Sequence, residues 1–146
     1  MATINASKAG ATHHVRSNAR VPYVAEWVLD FAKTTVASGD VVEVLAVPAG
    51  SVILYAGAEV MAEADVTATF VVGTAADNDQ YVAAGNAEVE GYSTSPATAG
   101  TALFTDAAET IDVTVTGTPT AGKIRVFAVL SSVEEVPAPG IAQVGS

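Results

Sequence analysis

An all-β sandwich or barrel is the fold this sequence predicts, and three observations predict it. Apolar and polar residues alternate with period two at residues 111–116, where Ile111, Val113 and Val115 interleave with Asp112, Thr114 and Thr116. Runs of the same kind recur at short spacing, each closed by Gly, Pro, Ser or Asp, and make roughly eight strands. No heptad and no sustained helical period occurs, and the one turn of helix expected lies at residues 74–80.

Residues 1–20 are rich in Ala, Ser, Thr, Asn and Gly and have no usable period, so by themselves they read as a flexible arm. Pro22 opens a strand whose larger face carries Tyr23, Ala25, Trp27, Leu29 and Phe31, with Val24, Glu26, Val28 and Asp30 opposite. Residues 33–37 are expected to extend it as far as a turn at Ser38, Gly39 and Asp40. The run VVEVLAV at 41–47 is the next strand. It ends in Pro48-Ala49-Gly50, where Pro at the second and Gly at the fourth place suit a tight turn. In the return strand Val52, Leu54, Ala56, Ala58 and Val60 alternate with Ile53, Tyr55, Gly57, Glu59 and Met61, and Gly57 marks an expected bulge.

Residues 65–72 should form a further strand with Val66, Ala68, Phe70 and Val72 inward. The long aperiodic stretch after it needs a strand or turn near residues 88–92, with Tyr81 or Val82 plugging one end of the core. Residues 101–105 form a short strand. Residues 111–116 and 123–130 then read as a hairpin about a loop at 117–122. Symmetric pairing would set Val115 against Ile124, Val113 against Val126 and Ile111 against Ala128, with one shared apolar face. The tail from 133 carries Pro137 and Pro139 and should be extended. The chain therefore divides into an arm at 1–20, one sandwich domain at 21–132 and a tail at 133–146.

Composition narrows the role. Half of the 146 residues are hydrophobic and only 15% are charged, well below the usual quarter, so part of the apolar strand surface is expected to face another subunit. The net charge of −10 argues against a nucleic-acid partner, because phosphate binding needs a concentrated cationic face. Charge is also segregated: Lys8, Arg16 and Arg20 lie in an arm without acids, ahead of an acidic body. The start of the chain lacks the apolar core of a signal peptide, and no run suits a membrane helix. Without cysteine there is no disulfide framework or thiolate metal site.

Chemistry is sparse. The only histidines, His13 and His14, are adjacent on the polar arm, point opposite ways when extended and suit interface contacts better than a metal. Asp77-Asn78-Asp79 has the spacing of a calcium-loop fragment, with Glu88 at the twelfth place, but Val82 stands where glycine is needed, which favours an Asx-type turn. Glu88 with Glu90, or Glu134 with Glu135, have no sugar-stacking aromatic cluster to make them a glycosidase pair. No nucleotide-binding, metalloprotease or hydrolase motif occurs, so no enzyme, cofactor or metal is expected. Trp27, Phe31, Phe70, Phe104 and Phe127 read as core, together with Val113 and Val126.

The stretches VPAGSVILYAGAEV, ATFVVGTAADNDQYVAA and TIDVTVTGTPTAGKIRVFAVL resemble, in order and turn style, the small jelly-roll structural proteins of tailed bacteriophages: decoration or cement proteins and related head-fibre modules. The resemblance covers about residues 41–130. It implies a jelly-roll-like antiparallel β-sandwich with extended arms that forms homotrimers on the outer capsid surface of the virion. There it would bridge neighbouring major capsid proteins and stabilise the head. On that reading the sandwich makes the trimer, and Lys8, His13, His14, Arg16 and Arg20 form the capsid-contact arm, Arg16 and Arg20 meeting carboxylates or carbonyls of the partner. Two alternatives stand beside it. One is a receptor- or glycan-binding fibre module using loops 74–80 and 93–100; the other is a bacterial surface sandwich, which the expected lack of a signal peptide disfavours.

Overall fold

The structure, a computed structural model, describes residues 1–5, 22–93 and 103–132. Ten strands are described: β1 (Thr3–Asn5), β2 (Tyr23–Asp30), β3 (Val41–Val47), β4 (Ser51–Ala62), β5 (Thr69–Gly73), β6 (Val82–Asn86), β7 (Gly91–Ser93), β8 (Leu103–Thr105), β9 (Glu109–Thr116) and β10 (Lys123–Ser132). Three of them, β1, β7 and β8, are only three residues long. Sheet A has the order β1-β3-β9-β5-β6. Sheet B has the order β2-β10-β4-β7, with β8 also on β4. The two sheets enclose one apolar core, so the chain is the β-sandwich that the alternation predicts. Among the described residues there is no helix, and hence none able to cross a membrane; residues 74–80 form turns instead.

The expected hairpin at 111–130 does not form. Strand β9 lies in sheet A between β3 and β5, and β10 lies in sheet B between β2 and β4. Their apolar rows still share one destination, because Ile111, Val113 and Val115 of β9 and Ile124, Val126 and Ala128 of β10 are all fully buried. Period-two patterning states which side of a strand is buried; it does not state which strand lies beside it. Two rows that could pair edge to edge instead face each other across the core.

The corner between β9 and β10 explains this choice. Gly117 and Gly122 have φ of 109° and 113°, values that L side chains avoid. A Cβ on Gly117 would also stand 2.6 Å from the Thr67 carbonyl oxygen. Between the glycines, the Asp65 carboxylate accepts the Thr120 N–H at 2.8 Å, the Ala121 N–H at 3.0 Å and the Thr120 hydroxyl at 2.6 Å. These bonds hold the Asp65 carboxyl below its ordinary range, the Thr120 hydroxyl contributing most. The Gly117 N–H donates to Ser38 Oγ at 3.1 Å, and the Gly122 carbonyl accepts the Phe31 N–H at 3.1 Å. Four segments thus meet at one corner.

Recruiting Asp65 to the corner alters the strand predicted from it: β5 begins only at Thr69, and Val66 is exposed, while Ala68, Phe70 and Val72 point inward. A similar effect shortens β2. The Asp30 carboxylate accepts the Ala32 N–H and its carbonyl accepts those of Lys33 and Thr34, so the chain turns where residues 33–37 were expected to extend the strand. In β4 the irregularity falls at Leu54 rather than Gly57: Val129 pairs with Tyr55 but Leu130 with Ile53. The inward row therefore changes phase, running Ser51, Ile53, then Ala56, Ala58 and Val60, with Val52 and Leu54 outside it.

The first residues also depart from a free arm. Strand β1 pairs in parallel with β3, Thr3 beside Val41 and Asn5 beside Glu43. Asp40 ties it down, one carboxylate oxygen accepting the Ala2 N–H at 3.0 Å and the other the Ala37 N–H at 2.9 Å. Those two bonds, that to Ala37 foremost, lower the Asp40 carboxyl. The remainder of the 1–20 arm and the 133–146 tail lie outside the described residues.

Two measurements check the corner. Gly117→Ala should cost about 2 kcal/mol or more in urea unfolding, since strain at positive φ adds to a clash with backbone; an unchanged midpoint would count against this geometry. For Asp65, whose folded carboxyl is lowered from 3.8, the stabilisation is present above the unfolded value and is lost as pH falls through the folded one. Asp65→Asn should lower the urea midpoint at pH 7 and flatten the acid side of the stability profile.

Candidate interaction surfaces

The predicted core residues fall as follows. Phe31, Phe70, Val113 and Val126 are buried, and Trp27 is half-buried against the same cluster. Phe127 differs, because it alternates with Val126 and Ala128 and so stands on the outer face of sheet B. The side chain of Phe104 lies outside the described residues, as do Lys8, His13, His14, Arg16 and Arg20. Tyr81 and Val82 are both buried at one end of the core.

The outer face of sheet B is apolar at one end. Strand register lines up Val24, Val129 and Tyr55, and in the next row Glu26, Phe127 and Gly57. The Tyr55 and Phe127 rings lie 6.0 Å apart, with Val24 60% and Tyr55 36% exposed. The following row is charged: Arg125 bridges Glu26 on β2 and Glu59 on β4. Alternation places these residues outside, and no described element covers them.

The outer face of sheet A is polar and acidic. Glu43 on β3 pairs in register with Asp112 on β9, flanked by Thr110 and Thr114. Asp112 is only 6% exposed and its Oδ1 has no hydrogen-bond partner. Burial pushes its carboxyl up to about 6, with the charges of Glu43 and Glu109 adding to the effect.

The third surface is the end of the sandwich that holds residues 74–81 and 105–109. Here a cavity of about 290 Å³ is lined by Thr74, Asp77, Gln80, Asp106 and Glu109, with alanine walls at 76, 107 and 108. The Asp77 carbonyl accepts the Thr74 N–H at 2.8 Å and that of Gln80 at 3.4 Å, closing the loop as a turn. The Asp79 carboxyl is raised, first by its hydrogen bond with Asp77. Next to it the Tyr81 hydroxyl is pushed up to about 12 by burial and then by Glu109. Among the described residues no group of three or more His, Cys, Asp or Glu side chains could hold a metal ion. Glu88, twelfth in the calcium-like spacing, instead accepts the Thr67 hydroxyl at 3.3 Å.

Sequence reasoning missed Asp40, Asp65 and Asp112 as special positions. The first two follow turn or strand signals and read as ordinary turn acids. Asp112 sits on what the alternation marks as a wet face, and only the neighbouring strands reveal that it is enclosed.

No protein-family model matches the sequence, and no curated protein matches it either. Solved structures do share the fold. A chain in the capsid of Ralstonia phage GP4 superposes with a TM-score of 0.69 at 16% identity, covering 91% of this chain and 99% of that one. A chain in the acidic stable capsid structure of Helicobacter pylori bacteriophage KHP30 gives 0.59 at 17% identity, over 80% and 91%. A chain of the cyanophage Pam1 capsid asymmetric unit gives 0.58 at 20% identity, over 85% and 95%. At these identities the likeness is one of fold.

Asp112 makes a prediction opposite in sign to that for Asp65. Its folded value, about 6, lies above the unfolded 3.8, so its ionisation opposes folding above pH 6, and protonation restores stability as pH falls from 7 towards 4. Asp112→Asn should therefore stabilise the protein at pH 7.5 by about 1–2 kcal/mol and make little difference at pH 4.5. Urea midpoints at the two pH values test this; equal effects at both would contradict it.

Proposed function

We propose that this chain is a structural component of a bacteriophage head, a decoration (cement) protein that forms homotrimers on the outer capsid surface and stabilises the shell. The observation that carries the reading is the fold likeness to chains of three phage capsid structures, which extends over 91–99% of those chains. The physical design agrees with a role in attachment rather than catalysis. A sandwich with its corners clamped by Asp65 and Asp40 is a stiff body, and the apolar end of sheet B, around Val24, Tyr55 and Phe127, is surface that a lone soluble domain would keep smaller. We assign that face to contacts between copies.

The cationic arm is the proposed grip on the major capsid protein, through Lys8, His13, His14, Arg16 and Arg20. Three copies held in one trimer would multiply a weak contact at each arm, so that no single arm needs a large interface. A receptor- or glycan-binding fibre module is the second reading, and the cavity beside residues 74–80 is the observation that favours it. Binding on a glycan array, without labelling of whole capsid surfaces in particle images, would select it.

Replacing Lys8, Arg16 and Arg20 by Gln removes the arm's charge and leaves β1 in place. The purified variant should keep the trimer mass in solution yet occupy particles lacking the native protein at a small fraction of the wild-type level. Full occupancy would refute the assignment of the arm, and a wild-type protein that stays monomeric at high concentration would refute the trimer.

A further inference from the structure

The cavity at the β5–β6 end of the sandwich is built for a cation that the described residues do not supply. Asp77, Asp106 and Glu109 rim it. The described basic side chains with ion pairs are occupied elsewhere, Lys33 with Asp30 and Arg125 with Glu26 and Glu59. Independently of the acids, Thr74 lines the cavity with only 2% of its surface exposed, and its Oγ1 has no hydrogen-bond partner. A buried hydroxyl left unpaired costs about 1–3 kcal/mol unless a bound group satisfies it. The wall is also held in place: a Cβ on Gly73 would lie 2.0 Å from the Asp77 carbonyl oxygen, so the loop seats against bare backbone at the end of β5.

We propose that this cavity is a socket for the guanidinium group of an arginine side chain presented by a partner chain. The inference rests on reading the protein as an attachment module and names what one of its contacts recognises. Several observations favour that ligand over others. The acids do not gather into a metal-ligand set. The acceptors are dispersed over carboxylates, the Thr74 hydroxyl and the Gln80 amide, which matches the fork of five donors of a guanidinium better than a point charge. The alanine walls suit its methylene stem. No aromatic platform for a sugar ring is found among the described lining residues. A guanidinium bridging Asp106 and Glu109 would form charge-assisted bonds, and Thr74 Oγ1 could turn a lone pair towards it.

The test is an NMR titration of the full-length, isotope-labelled protein with N-acetyl-arginine amide, and with its neutral isostere N-acetyl-citrulline amide. Saturable shifts confined to amides near Thr74, Gln80, Ala107 and Glu109, weaker by roughly tenfold or more for citrulline, are the expected result. Asp106→Asn combined with Glu109→Gln should abolish them. Thr74→Val, which removes an unpaired hydroxyl and keeps the shape, should weaken binding with no loss of stability. Equal shifts with citrulline, the same response to calcium chloride or to a neutral hexose, or undiminished binding by the double variant would each overturn the socket. Particle attachment separates this from the functional reading: a double variant that decorates particles as well as wild type overturns the socket alone, whereas a wild-type protein with no affinity for particles overturns the attachment role.

Discussion

The rest of the structure depends on the burial of two apolar rows against each other, Ile111, Val113 and Val115 from β9 and Ile124, Val126, Ala128 and Leu130 from β10. Each strand is interior to its own sheet, with neighbours on both sides. Every other strand is positioned with respect to one of these two. Burying such a row is worth on the order of 1.5–3 kcal/mol per large side chain before the entropy of ordering is subtracted. The corner from 117 to 122 must therefore carry the chain across the core rather than back along the same sheet, and its two left-handed glycines and the Asp65 carboxylate make that crossing.

The carboxylates of the protein fall into two classes that the same chemistry separates. Asp65 and Asp40 receive backbone N–H groups and hold loops and β1 to the body, and both are lowered. Asp112 is enclosed beside Glu43 with an unmet acceptor and is raised. The first class favours the folded state at neutral pH and the second opposes it. Charge therefore ties the corners of the sandwich, while the outer face of sheet A retains acid that is poorly solvated. Sheet B divides its outer face differently, into an apolar end and an ion-paired strip centred on Arg125.

Much of the fold was legible because alternation is a local property. Leu29, Phe70, Val72 and the rows of β9 and β10 could be assigned to the interior from spacing alone. Pairing was not legible, since Val113 has the same inward preference whether Val126 lies beside it or across the core from it. The phase of β4 was misread because the register slips at Leu54, whose own chemistry gives no signal, whereas Gly57, which does look like a bulge, sits in regular pairing with Phe127. Val66 was misread because its neighbour Asp65 is drawn to amides at Thr120 and Ala121, a contact between segments far apart in sequence. The cavity had the same invisibility: Asp77 and Glu109 belong to different loops, and only the closure of the sandwich brings both to one rim. The resemblance in turn style pointed towards a phage-like sandwich where residue chemistry alone offered no site.

The alternation of successive strands between the two sheets has a kinetic meaning. Among the described ladders only that of β5 with β6 joins strands consecutive in the chain; Val42 must find Val113, and Ala56 must find Ala128. Such a topology closes large loops before it gains contacts, which places folding towards the slow, millisecond-to-second end of small domains. Disassembly has to undo the same long-range pairings together, because no terminal hairpin can peel away alone. A chain wired in this manner matures slowly and, once formed, persists by the height of its unfolding barrier as well as by its equilibrium stability.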